Sequence, residues 1–154
     1  MNKINFEKMD DKNILELSIK SEIEAQKTYE TLLERDIPEN IKNRLKNFLK
    51  SEKSHEESLR NIFNDWYPDE EPTITKESVD IEGQIKEVGD NMKELLEKAM
   101  EDEKNAEETY SKLGDKYEDK GKARVFKHLA YTEREHYEAV KRELENLNEH
   151  KDSE

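Results

Sequence analysis

Glutamate and histidine stand three positions apart at two places in this chain where core residues would be expected. In FLKSEKSHEESL, residues 48–59, the helical stripe Ile41, Leu45, Phe48, Glu52, His55, Leu59 and Ile62 carries a carboxylate and an imidazole at its middle. In LAYTEREHYEAV, residues 129–140, the stripe Phe126, Leu129, Glu133, His136, Val140 and Leu147 does the same. Residues three apart share a helix face, so each pair can reach one metal ion or two adjacent ones. Burying charge is costly unless it is paired or metal-bound, so two such pairs inside apolar stripes ask for a cation.

The elements that must position these groups are four long helices. The first, over about 12–35, has Leu15, Ile19, Glu22, Ala25, Tyr29 and Leu32 on one face and Glu16, Lys20, Glu24, Lys27 and Glu30 on the solvent side. Asp10, Asp11 or Asn13 can cap it, after a short leader over residues 1–10. The segment RDIPEN ends it, and Pro38 suits the first turn of a second helix running to about residue 64. Residues 65–90 hold two prolines and two glycines, with no sustained period beyond a short helix near 80–88. So long a connection is a crossover, since neighbouring antiparallel helices need only about 2–8 residues between them. The third helix, about 91–113, aligns Met92, Leu96, Ala99, Glu103, Ala106, Tyr110 and Leu113. GDKYEDKGK reads as a polar hinge with Gly114 and Gly121 as stop signals, and the fourth helix follows from about 122 to 148 before a frayed tail.

An internal repeat underlies this layout. SIKSEIEAQKTYETL aligns with AMEDEKNAEETYSKL so that Glu22 matches Glu103, Tyr29 matches Tyr110 and Leu32 matches Leu113, each 81 positions apart. The same offset relates Glu52 to Glu133 and His55 to His136. The chain is one domain over residues 1–154, made of two copies of a helical hairpin, each with a lone core glutamate and one E-x-x-H. A single E-x-x-H carries little weight in a sequence this rich in glutamate. Six ligand types on four stripes in one register carry much more. Four carboxylates neutralise two divalent cations, and a mixed carboxylate and imidazole set suits iron or manganese better than copper. His128 and His150 lack a glutamate three positions earlier and read as surface or packing residues.

Composition narrows the function. A formal charge of −13 excludes a nucleic-acid partner, which needs a basic face. No apolar run approaches the ~20 residues of a membrane span, and the first residues lack a signal peptide's apolar core, so a cytoplasmic location is expected. With no cysteine, disulfides, zinc ribbons and rubredoxin-type iron sites are excluded, and electrons must come from outside.

The pattern E-x-x-A-x-x-x-Y on the first and third helices, with E-x-x-H on the second and fourth, resembles the ferritin-like superfamily and is most similar to rubrerythrin-type di-iron domains. The likeness covers about residues 12–148. It implies an all-α ferritin-like four-helix bundle with a long crossover between helices two and three. It also implies that Glu52 and Glu133 bridge two iron ions, with manganese or mixed metal as the other fillings. Glu22 and His55 would complete one metal, and Glu103 and His136 the other. Tyr29 and Tyr110 would hydrogen-bond ligand carboxylates. The chain departs from that pattern in two ways. The cysteine-bearing rubredoxin module is absent. Ala106 stands where peroxide-reducing rubrerythrins carry an additional glutamate, Glu107 pointing about 100° away on an ideal helix. The ligand set is thereby closer to that of bacterioferritins, while the absence of a fifth long helix argues against a storage cage.

The function expected is redox chemistry at a carboxylate-bridged dinuclear centre, as in rubrerythrin-like reduction of hydrogen peroxide or dioxygen under oxidative stress. An external electron donor such as a rubredoxin-type protein would regenerate it, and a homodimer is compatible with the family. The alternatives are a ferroxidase or iron-handling protein, and a helical interaction module whose metal site is structural.

Overall fold

The computed structural model describes residues 9–89 and 91–152, without the side chains at 88 and 149–152. The chain forms α1 (Asp11–Leu33), α2 (Glu39–Trp66), α3 (Glu82–Val88), α4 (Met92–Lys116) and α5 (Lys120–Asp152), with a 3-10 turn at Lys76–Ser78 and no strand among the described residues. Four of these are the long helices of a ferritin-like bundle, and α3 is the short helix of the crossover. α1 pairs with α2 and α4 with α5, while α1 packs on α4.

Local chemistry sets the ends. Asp10 caps α1 by accepting from the Asn13 N–H at 2.8 Å, and Asn91 caps α4 by accepting from the Glu94 N–H at 2.9 Å. Pro38 is the N-cap of α2, one position before its first turn. Gly89, with φ of 95°, ends α3 in a conformation that side-chain-bearing residues avoid.

Two expectations are corrected at the other glycines. Gly114 lies inside α4 and Gly121 in the first turn of α5, so neither stops a helix and the hinge shrinks to residues 117–119. A Cβ on Gly114 would sit 2.8 Å from Lys127 Cγ and 3.5 Å from the Ala123 carbonyl oxygen. Glycine here permits close packing of α4 on α5. At the start of α5, the Asp119 carboxylate accepts from the Gly121 and Lys122 N–H groups, and this starts the helix before the glycine. α5 also runs on past residue 148 into the expected tail. Residues 1–8 of the leader expected over 1–10, and the side chain of His150, lie outside the described residues.

The crossover lies along the outer face of α1. Val79 and Ile81 insert into the core, and Lys27 of α1 donates to the Lys76 carbonyl at 2.6 Å and to that of Val79. Gln84 donates to Glu24, Thr73 to Glu16, and Arg60 of α2 to the Ile74 carbonyl. The face of α1 read as solvated is therefore half-covered: Glu16, Glu24, Lys27 and Glu30 are part-buried.

Apolar side chains form two clusters, one at each end of the bundle. Ile14, Leu15, Ile19, Leu59, Phe63 and Phe126 belong to one. Leu32, Ile41, Leu45, Leu95, Leu96 and Val140 belong to the other. Between these ends lies a layer of charge.

Candidate metal centre

Each long helix of the bundle contributes to that layer. α1 supplies Glu22, α2 Glu52 and His55, α4 Glu103, and α5 Glu133 and His136. The four carboxylates are each 1% exposed, while His55 and His136 are 6% and 7% exposed. A 3-4-3-4 helical rhythm turns these positions inward, and apolar residues one turn above and below exclude water.

The ligand atoms fall into two overlapping sets. Atoms of Glu22, Glu52, His55 and Glu133 all lie within 4.8 Å of one another, and so do those of Glu52, Glu103, Glu133 and His136. Donors bonded to one cation at about 2.0–2.2 Å lie no more than about 4.4 Å apart, so a bound cation would draw the outermost of these atoms slightly inward. Glu52 and Glu133 belong to both sets, the position of a carboxylate shared by two cations. His55 Nδ1 lies 2.8 Å from Glu133 Oε1 and 3.6 Å from Glu22 Oε2, and His136 Nδ1 lies 2.8 Å from Glu52 Oε1 and 3.5 Å from Glu103 Oε1. The two rings stack with centroids 6.2 Å apart. The repeat offset has thus become an approximate two-fold relation in space, with each imidazole facing the other hairpin's glutamate.

Tyrosines cross the bundle in the same sense. Tyr29 Oη donates to Glu103 Oε1 at 2.6 Å, and Tyr110 Oη donates to Glu22 Oε1 at 2.5 Å. Both phenols are 1% exposed, and burial, reinforced by the charge of Glu103 on Tyr29 and of Glu22 on Tyr110, pushes their pKa values well up. They stay protonated and act as donors. Each thus fixes one carboxylate oxygen, while the other oxygens, Glu22 Oε2 and Glu103 Oε2, are buried without a hydrogen-bond partner. Such orphans are rare in proteins, and a cation would satisfy both.

The electrostatics of the site fit an arrangement for positive charge. Burial, then the charges of Glu22 and Glu103, pushes Glu52 and Glu133 well above the ordinary carboxyl value. For Glu103 burial acts upward, but hydrogen bonding to Glu133 and His136 outweighs it and the net direction is down. Burial acts downward on His55, yet its hydrogen bond to Glu133 and the nearby charge of Glu22 carry it up to about 10. Two divalent cations would relieve this repulsion, their charges matching four carboxylates.

All eight residues picked out from the sequence converge here: six around the two sets and the two tyrosines beside them. The sequence profile of the rubrerythrin family matches residues 13–144. The chain belongs to the rubrerythrin family. A hypothetical protein from Pyrococcus furiosus has a similar structure, with a TM-score of 0.76 and 29% identity over 96% of this chain and 98% of the other. No curated protein matches. Membership of the rubrerythrin family and the buried Glu and His cluster together fit a di-iron site.

Sequence reasoning missed polar groups around the centre. Gln26, fully buried one turn after Glu22, donates to Glu56 at 2.8 Å, and Arg60 donates to the same carboxylate. Lys98 is buried and pairs with Asp102 at 2.6 Å, and Glu143 is buried against Arg44. Gln26 becomes legible only once α2 is known to bring Glu56 against it. Glu143 follows Val140 at i+3, a faint signal of an inward position. Lys98 lies off the ligand stripe, and we find no signal for it in the sequence.

Proposed function

We propose that this rubrerythrin-family chain is a non-haem di-iron oxidoreductase that reduces hydrogen peroxide or dioxygen. The observation supporting the reading is the pair of buried ligand sets sharing Glu52 and Glu133, each with an orphaned carboxylate oxygen. Glu22 and His55 would complete one metal, Glu103 and His136 the other. The donor set accepts iron, manganese or one of each. When bound, two ferrous ions supply the two electrons that the oxidant takes up.

The chain's own residues do the rest. Tyr29 and Tyr110 orient Glu103 and Glu22, so that the free oxygens turn to the metals and the site is preorganised. The apolar clusters at both ends keep the carboxylates dry. Without a thiol of its own, the protein needs an outside reductant, for which a rubredoxin-type electron carrier is suited.

The test is an anaerobic ferrous titration of metal-free protein, then stopped-flow mixing with peroxide and, separately, with air-saturated buffer. Saturation at about two irons per chain and repeated turnover once reductant is added are expected. Substitution Glu52→Ala or His136→Ala should abolish turnover, and unchanged peroxide consumption in either variant would sink the assignment. One observation favours iron handling as the second reading: Ala106 offers no additional carboxylate beside Glu103. Oxidation continuing far beyond two irons would decide for it.

A further inference from the structure

The two open sides of the bundle differ. Whereas α1 packs closely on α4, α2 and α5 stand further apart, and a groove of about 780 Å³ separates them. His55 lines it, so the groove lies against the metal centre on its histidine side. Its lining on α2 extends from Asn47 to Ile62, a rise of about 22 Å.

Charge sets this groove apart from the rest of the surface. Asp and Glu make up 40 of the 154 residues, yet none lines it. Lys50, Arg124 and His128 do, and none of the three has an ion-pair partner among the described residues. Arg124, His128 and Thr132 follow one another at single-turn spacing on α5, and Ser51, Ser54 and Ser58 of α2 add hydroxyl donors. Ile62, Val125 and Leu129 give an apolar floor. A long cleft with apolar floor, hydroxyls and cations, inside an acidic protein, is the complement of an elongated organic anion.

We infer that the groove between α2 and α5 binds a small organic phosphate of about flavin-nucleotide size. Its phosphate lies on the cationic side chains and its ring system on Ile62, Val125 and Leu129, next to His55. Arginine, lysine and serine hydroxyls are the donors that phosphate oxygens take, and the volume lies within the range of small-molecule sites. Binding of this kind goes beyond the di-iron reading and does not depend on turnover at the metals.

The experiment titrates flavin mononucleotide, and in parallel uncharged riboflavin, into the full metal-loaded chain at low ionic strength, following flavin fluorescence. Saturable binding of the nucleotide at one site per chain is expected, at least tenfold tighter than riboflavin. The double variant Lys50→Ala/Arg124→Ala should weaken it at least tenfold. Lys53→Ala/Lys104→Ala, which removes the same charge outside the groove, should change it less than twofold. Ser58→Trp fills the groove without altering charge and should abolish binding, with far-UV circular dichroism verifying that each variant is folded. No saturable binding, or equal affinity for riboflavin, overturns the inference. So does equal weakening by the control pair. Wild-type affinity in the Lys50/Arg124 variant would put the phosphate on the metals instead, and overturns it as well.

Discussion

Glu22 and Glu103 each give one oxygen to a tyrosine and leave the other bare. Replacing either tyrosine by phenylalanine removes a hydrogen bond to a buried carboxylate, at a cost of about 1–3 kcal/mol, and frees the glutamate to turn away. Tyr29→Phe and Tyr110→Phe should each weaken metal binding by about 10–100-fold, as measured by competition with a chelator. Proton balance gives a second expectation. In the metal-free chain Glu52, Glu133 and His55 hold protons that the unfolded chain releases at lower pH. Stability should therefore fall as pH rises from about 4.5, the ordinary carboxyl value, through about 10, the folded value of His55. Metal uptake must release those protons, so affinity should rise with pH, and a dye in weak buffer will register the release. The ligands were legible in the sequence because each is the wrong polarity for its stripe, and the 81-residue offset repeats the error. Gln26 was not, because a glutamine flanked by Ala25 and Lys27 looks like one more surface residue until its partner Glu56 on α2 is in view.

Glycine divides the elements into those that need it and those that do not. At Gly83 in α3 an added Cβ meets nothing within 4 Å, so Gly83→Ala should stabilise by about 0.5–1 kcal/mol. Gly114→Leu drives a side chain into Lys127 and toward the Ala123 carbonyl, and should destabilise by about 1–3 kcal/mol. Urea unfolding of the two variants reads both, and their opposite signs separate a propensity glycine from a packing glycine. Gly114 and Gly121 misled the sequence reading because a glycine in a polar segment carries the same local signal whether it ends a helix or admits a neighbour. Helix type and order were readable from the 3.6-residue period. The path of the crossover was not: it rests on backbone carbonyls accepting from Lys27 and Arg60, and carbonyls leave no trace in side-chain patterning.

At the scale of the whole molecule, a core divided by a charged layer is stable only when that layer is neutralised. Metal removal should lower the melting temperature by about 10–20 °C relative to protein with free metal at a hundred times its dissociation constant, where each of the two bound metals contributes about 2.7 kcal/mol. Differential scanning calorimetry with and without chelator measures it. The bonds that cross the layer carry a further consequence. Tyr29 reaches from the first hairpin to Glu103 of the second, Tyr110 reaches back to Glu22, and each histidine faces the other hairpin's glutamate. These buried tyrosines, histidines and glutamates find their partners across the hairpins rather than within them. Each ligand set takes three residues from one hairpin and its fourth from the other, so a complete centre exists only while the two hairpins stay docked.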